Sequence, residues 1–428
     1  MNGTDEDRWR AWLAPADLRS FPVEPGQRVA VVAAHPDDET LGVSGLLQQL
    51  HQQGSTIDLI VATDGEAAFP ALSTADRREL GRTRRAELRE SLRAQGLTDV
   101  SVQWLGLPDS GLADRRDELT DRLRPLLAGT DVCLLPWPGD PHPDHAAAGD
   151  AVLAAAPLTA HRWSYPIWMW HWMTPDDPAI PRATAFEHRL DRAQRDGKAA
   201  GLAAFVSQLK PGPNGEPPIL EPDMLEHFDR DVEVVFRQPP DQSAPVSRFT
   251  ELYAADADPW QVTDRWYERR KRALAIASLP RERYGTAVEP ACGTGMLTAL
   301  LAQRCDMVLA FDPVRSAVAA ARSRTVELDV VVAEGRLPGD FPTGPVDLVV
   351  FSEILYYLDD DAFAASVAAA VAALRPGGHL LAVDWLPWAA EAPRDGLAVH
   401  RFLTRSPALE PLVAHVDERF VLHVLARR

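Results

Sequence analysis

Short apolar runs, each closing on a cluster of polar residues, recur along this chain and narrow what it can fold into. RVAVVAA (28–34), TIDLIVAT (56–63), VSVQW (100–104) and DVCLLPW (131–137) have the length and β-branched content of buried strands. The helical stretch that starts near Glu39 halts at Gly54, a residue suited to the position just past a helix end. A second helical stretch runs through the eighties and nineties to Gly96. Strand and helix in alternation predict a parallel sheet covered by helices, with ligands gathered at the carboxyl ends of the strands. HPDDE (35–39), TDGE (63–66), LPDSGL (107–112) and PGDPHPDH (138–145) fall at those ends.

The alternation then starts again. TAVEP (286–290) leads into a glycine-bearing turn, and DMVLAFD (306–312), VDLVVFSE (346–353) and LRPGGHLLAVDW (374–385) follow with helices between them. A chain of 428 residues exceeds one ordinary core, and 46% apolar content lets it bury a substantial interior. The expectation is two Rossmann-like three-layer α/β domains with mostly parallel sheets. PGPNGEPPILEP (211–222) has the composition of a linker, yet VEVVF (232–236) still reads as a strand after it. The boundary therefore belongs in RQPPDQSAPVS (237–247), giving domains at 1–240 and 246–428.

Composition removes several classes of function. A net charge of −18 argues against a nucleic-acid partner. No run of about twenty apolar residues exists to span a membrane. The opening MNGTDEDRWRAWLAP is acidic where a secretory signal is basic and apolar, and Cys133, Cys292 and Cys305 form no CxxC pair. Both point to a reducing cytoplasm. The arginine-rich run from Arg77 to Arg93 has acids interleaved and reads as a solvated helix face. Oligomeric state is not encoded in any of these features.

Two triplets carry the first chemistry. His35, Asp37 and Asp38 share one tight loop, and His142, Asp144 and His145 share another. A catalytic zinc takes about three N or O ligands and leaves a position open for water. Loops leaving strands one and four can converge above a parallel sheet. One of two adjacent aspartates can turn to a metal while its neighbour faces the water; spacing alone leaves open which does which. SYPIWMWHW (164–172), with Trp163 before it, is a buried aromatic strand or a carbohydrate-facing surface. Asp64 and Asp109 can hydrogen-bond sugar hydroxyls or cap turns.

AHPDDE (34–39) with PHPDH (141–145) resembles the LmbE-like, or PIG-L, de-N-acetylase family over roughly residues 25–240. LPDSGL, the Lys198 to Gln208 stretch and PPILEPDMLEHF (217–228) extend the match. The resemblance implies zinc bound by His35, Asp38 and His145 and Asp37 as general base. It makes His142 the group that polarises the acyl oxygen or protonates the leaving amine.

In the second half, TAVEPACGTG (286–295) is a strand entering a glycine turn. Thr298 stands where a dinucleotide fingerprint needs its last glycine, which counts against NAD. Asp312 ends the next strand, where a carboxylate can accept both hydroxyls of a ribose. The series resembles the class I S-adenosylmethionine-dependent methyltransferases. DPWQVTDRWYERRKRAL (258–274), VDLVVFSEILYYL (346–358) and the tail from Ala398 narrow it to the NodS-like N-methyltransferases over roughly 248–428. That implies cofactor contacts from Glu289, Gly293, Gly295 and Asp312. Ala291 departs from the family's usual glycine, a change that tightens the turn without abolishing it. Trp260, Trp266, Tyr267 and Arg270 either fold over the methionine end of the cofactor or form an amphipathic entry helix. Glu353, His379, Asp384 and His400 are candidates for a methyl-transfer base.

Together the halves predict a bifunctional enzyme: de-N-acetylation of an amino sugar or glycoconjugate, then N-methylation of the freed amine. Two rivals remain. The methyl acceptor is unrelated to the hydrolase product, for example a hydroxyl, or one half is only a binding module.

Overall fold

The computed structural model describes residues 3–14 and 18–428. The chain divides into two compact units, Met1–Gln238 and Pro239–Arg428. The first is built on eight strands: β1 (Arg19–Ser20), β2 (Arg28–Ala33), β3 (Thr56–Thr63), β4 (Ser101–Leu107), β5 (Val132–Pro136), β6 (His161–Tyr165), β7 (Ala185–Arg189) and β8 (Val232–Arg237). Their order across the sheet is β1-β7-β8-β6-β5-β2-β3-β4. All neighbours run parallel except β8, which is antiparallel to both β6 and β7.

Buried on both faces, the central strands carry almost unbroken apolar runs, as parallel strands should. The helices that cover them end on local signals. Helix Thr74–Ala94 starts at Ser73, whose hydroxyl accepts the Asp76 amide, and ends two residues before left-handed Gly96. From β2 the chain steps to β3 and β4 on one side, then returns to β5 and β6 on the other. The loops after β2 and β5 therefore flank a topological switch point, where such sheets bind ligands.

The second unit repeats the scheme with β9 (Tyr284–Pro290), β10 (Cys305–Asp312), β11 (Val330–Glu334), β12 (Val346–Ser352), β13 (Leu374–Trp385), β14 (Leu409–Val416) and β15 (Phe420–Arg427). Their order is β11-β10-β9-β12-β13-β15-β14, with β15 antiparallel to β13 and β14. The switch point here lies between β9 and β12. Both units are α/β, with mostly parallel sheets. Among the described residues no helix is long and apolar enough to cross a membrane.

Candidate functional sites

The loop after β2 brings His35, Asp37 and Asp38 to the start of helix Asp38–Gln52, and the loop after β5 brings His142 and His145 to helix Pro143–Ala155. The two meet. His35 Nδ1 lies 3.2 Å from His145 Nε2, and His145 Nε2 lies 3.2 Å from Asp38 Oδ1. All three side chains are buried. Donor atoms of His35, His142 and His145, and separately of His35, Asp109 and Asp144, fall within 4.8 Å of one another. Burial pushes His35 and His145 down, but the surrounding carboxylates outweigh it and raise both, His35 to about 9. The same negative field suits a cation. Two imidazoles and a carboxylate, buried and convergent, fit the donor set of a zinc site.

Three aspartates, of which the sequence did not single out Asp140, hold this group in place. Asp140 accepts the amides of His142, Ile167 and Met169, and its Oδ1 stands 3.5 Å behind His145 Nδ1. A carboxylate behind a ligating imidazole fixes its tautomer and orientation. Asp144 accepts the amides of Ser110 and Leu112, binding the LPDSGL loop to the site. Asp109 from that loop reaches His35 Nε2 at 3.1 Å, whereas Asp64 is paired with Arg85.

Arg84 corrects the reading of the arginine run as a solvated face. It is 4% exposed and donates to Asp37 Oδ2 at 3.0 Å, Pro36 O at 2.8 Å and Gly65 O at 2.9 Å. It lies on the inward stripe of its helix with Gly81, Leu88 and Ser91, whose spacing was the available signal. Asp37 has a left-handed φ of 134°, a strained backbone held by these contacts. Burial pushes its carboxyl up, with the Arg84 charge opposing. Gly65 (φ +63°) allows the guanidinium to pass: a Cβ there would sit 2.0 Å from Arg84 Nη1.

His142 caps its helix, its Nδ1 accepting the Asp144 amide at 3.3 Å. Burial, then the charges of His145 and His35, lower it to about 4. A neutral imidazole whose Nδ1 accepts carries its proton on Nε2. The aromatic stretch is not one strand. Trp163 and Tyr165 are buried on β6, and Trp170 packs against Trp9 and Trp12. Trp168 and Trp172 stack 4.4 Å apart and lie nearly parallel to the His142 ring, with Trp172 half exposed.

In the second unit, the turn after β9 places Gly293 and Gly295 in left-handed backbone, and Ala291 as well (φ 53°), so its methyl strains the turn without preventing it. Asp312 accepts the amides of Gly293 and Val314, and Glu289 is buried with Oε2 lacking a hydrogen-bond partner among the described residues. Burial raises Glu289 to about 8. Glu289, Gly293, Gly295 and Asp312 thus lie together at the carboxyl ends of β9 and β10 and the turn between. Tyr253, unnoticed in the sequence, points its hydroxyl at Gly293, and Trp260 packs edge-on against Tyr253. Tyr267 and Arg270 turn elsewhere: Tyr267 donates to Arg419 O and Arg270 to Asp417. Trp266 is exposed, and His379 pairs with Tyr284 far down β13.

Residues 30–156 match the PIG-L family, described as GlcNAc-PI de-N-acetylase, and residues 287–378 match a methyltransferase domain family. The chain is 29% identical over 210 residues to 1D-myo-inositol 2-acetamido-2-deoxy-alpha-D-glucopyranoside deacetylase 2 of Saccharopolyspora erythraea, covering 41% of this chain and 70% of that protein. It is 32% identical over 133 residues to Nodulation protein S of Sinorhizobium fredii, covering 30% of this chain and 60% of the relative. Among solved structures, the N-methyltransferase NodS of Bradyrhizobium japonicum with S-adenosyl-L-homocysteine matches at 24% identity and TM-score 0.39, over 42% of this chain and 97% of its own.

Proposed function

We propose, for a chain that joins a PIG-L-family domain to a methyltransferase domain of NodS-like kind, that it de-N-acetylates an amino sugar or glycoconjugate and N-methylates the amine so exposed. The hydrolase is assigned to 1–240 and the methyltransferase to 246–428. The observation that carries the first step is the convergence of His35, Asp38 and His145 beside Asp37 and His142.

His35, Asp38 and His145 would hold zinc. Bound there, it would supply the Lewis acidity that makes water a nucleophile near neutral pH. Asp37, oriented by Arg84, is placed to take a proton from an attacking water. His142, its proton on Nε2, donates a hydrogen bond to the acyl oxygen as negative charge develops there, and the proton held by Asp37 passes to the leaving amine. Trp172 offers an exposed indole face beside these groups to the sugar or its aglycone.

Glu289, Gly293, Gly295 and Asp312 would hold S-adenosylmethionine, whose sulfonium supplies an electrophilic methyl group. An amide nitrogen is a poor acceptor because its lone pair is delocalised into the carbonyl. Deacylation must therefore come first if nitrogen is the acceptor, which is the chemical reason to read the two domains as one sequence of reactions. Mass spectrometry of an N-acetylglucosamine conjugate incubated with the protein, zinc and S-adenosylmethionine tests this. Loss of the acetyl mass followed by gain of a methylene mass is expected. Methylation of the still-acetylated conjugate would overturn it.

A further inference from the structure

At the carboxyl ends of β12 and β13 stands a cluster of ionisable side chains drawn from five segments. Helix Trp266–Ala277 contributes Glu268, Lys271 and Tyr267. The turn after β12 contributes Glu353 and Tyr356, β13 contributes Asp384, helix Gly396–Arg405 contributes His400, and β15 contributes His423. Glu353 has a left-handed backbone (φ 58°). Its Oε2 accepts the Tyr356 hydroxyl at 2.8 Å and the Trp385 amide at 2.9 Å, and its Oε1 accepts from Lys271 at 2.5 Å. Lys271 also pairs with Glu268. Two carboxylates thus face one ammonium, an excess of one negative charge around Lys271.

Asp384 is the unexplained member. It is 0% exposed, and neither carboxylate oxygen has a hydrogen-bond partner among the described residues. Oδ2 stands 3.2 Å from His400 Nε2, and Oδ1 has no partner among the described residues. A bare buried carboxylate is expensive unless something cationic or proton-bearing meets it. Behind Asp384 the line continues: His400 Nδ1 lies 2.8 Å from the Nδ1 of half-buried His423. Burial lowers His423 to about 4, so its ring is neutral at physiological pH and its unprotonated nitrogen can accept a hydrogen bond from His400.

We propose that this cluster is the acceptor subsite of the methyltransferase unit: Glu353 and Asp384 receive a cationic primary amine, and Asp384, His400 and His423 carry its proton to solvent. The inference rests on the amine-methylation reading and deepens it, since paired carboxylates favour an ammonium over a hydroxyl. The bound ammonium first gives a proton to Asp384, which passes it to His400 Nε2 as His400 Nδ1 gives its own to His423. The neutral nitrogen then forms its bond to the methyl carbon of the sulfonium donor. The carbon–sulfur bond breaks with its electron pair going to sulfur, leaving a methylammonium product and a thioether.

Two measurements on the full-length protein test it. Calorimetry with S-adenosylhomocysteine present should show glucosamine binding and glucose not binding. Asp384→Asn should weaken glucosamine by about tenfold or more, the scale of a lost hydrogen bond to a charged group. In methyl-transfer assays, His423→Ala should lower kcat about tenfold or more with little change in KM, shift the pH profile upward, and recover with added imidazole. A structural defect would not be rescued in this way. Should Asp384→Asn not fold, His423→Ala carries the test. If the wild type methylates glucosamine but His423→Ala keeps its rate and pH profile, the proton line is wrong and the amine reading stands. If it methylates glucose instead, or neither sugar, the amine reading falls and this inference with it.

Discussion

Asp37 carries the most specific demand on a single residue. Its strained backbone, its contact with Arg84 and its place beside the proposed zinc ligands are the grounds for proposing it as the base. Asp37→Asn should keep bound zinc, measured by elemental analysis, yet lose deacylation by about a hundredfold or more. Turnover near wild type would move the base elsewhere, with His142 next in line. Trp172 makes a separate demand. Its exposed face beside His142 should contribute to binding rather than to chemistry, so Trp172→Ala should raise KM roughly two- to tenfold at nearly constant kcat. A fall in kcat alone would contradict a platform role. The two histidine–aspartate triplets were legible in the sequence because they sit in strand-end loops, but their supports were not. Asp140 looks like a turn residue until the fold shows whose amides it accepts.

Helix Asp38–Gln52 reads in the sequence as one uninterrupted element, and in the structure it breaks at Val43, where φ is −142° and ψ is 20°. The break frees the amides of Gly45 and Leu46, and both donate to the buried carboxylate of Glu233 on β8. Lys198 neutralises that carboxylate at 2.9 Å. No local propensity could reveal this, because the partner lies nearly two hundred residues away. The antiparallel direction of β8 was equally hidden: side-chain patterning marks a strand but not its sense. Removing one partner of a buried pair leaves an uncompensated charge, so Lys198→Met should cost about 3–5 kcal/mol in denaturant unfolding of the first unit. A loss under about 1 kcal/mol would show that the two amides alone satisfy Glu233.

For the whole molecule, placing the two chemistries in separate compact units makes the order of reactions testable by disabling one at a time. His145→Ala removes a proposed zinc ligand from the first unit and leaves the second unit unaltered in sequence. Given an acetylated conjugate, it should yield no methylated product. Given the free amine, it should methylate at the wild-type rate. Asp312→Ala should do the converse. Its carboxylate anchors the turn through Gly293 and would meet the cofactor ribose, so the loss weakens the cofactor and free amine accumulates. Mass spectra of the four reactions separate the possibilities. Methylation of the acetylated conjugate by His145→Ala would sink the sequential scheme, because the acceptor could then not be the nitrogen that hydrolysis exposes.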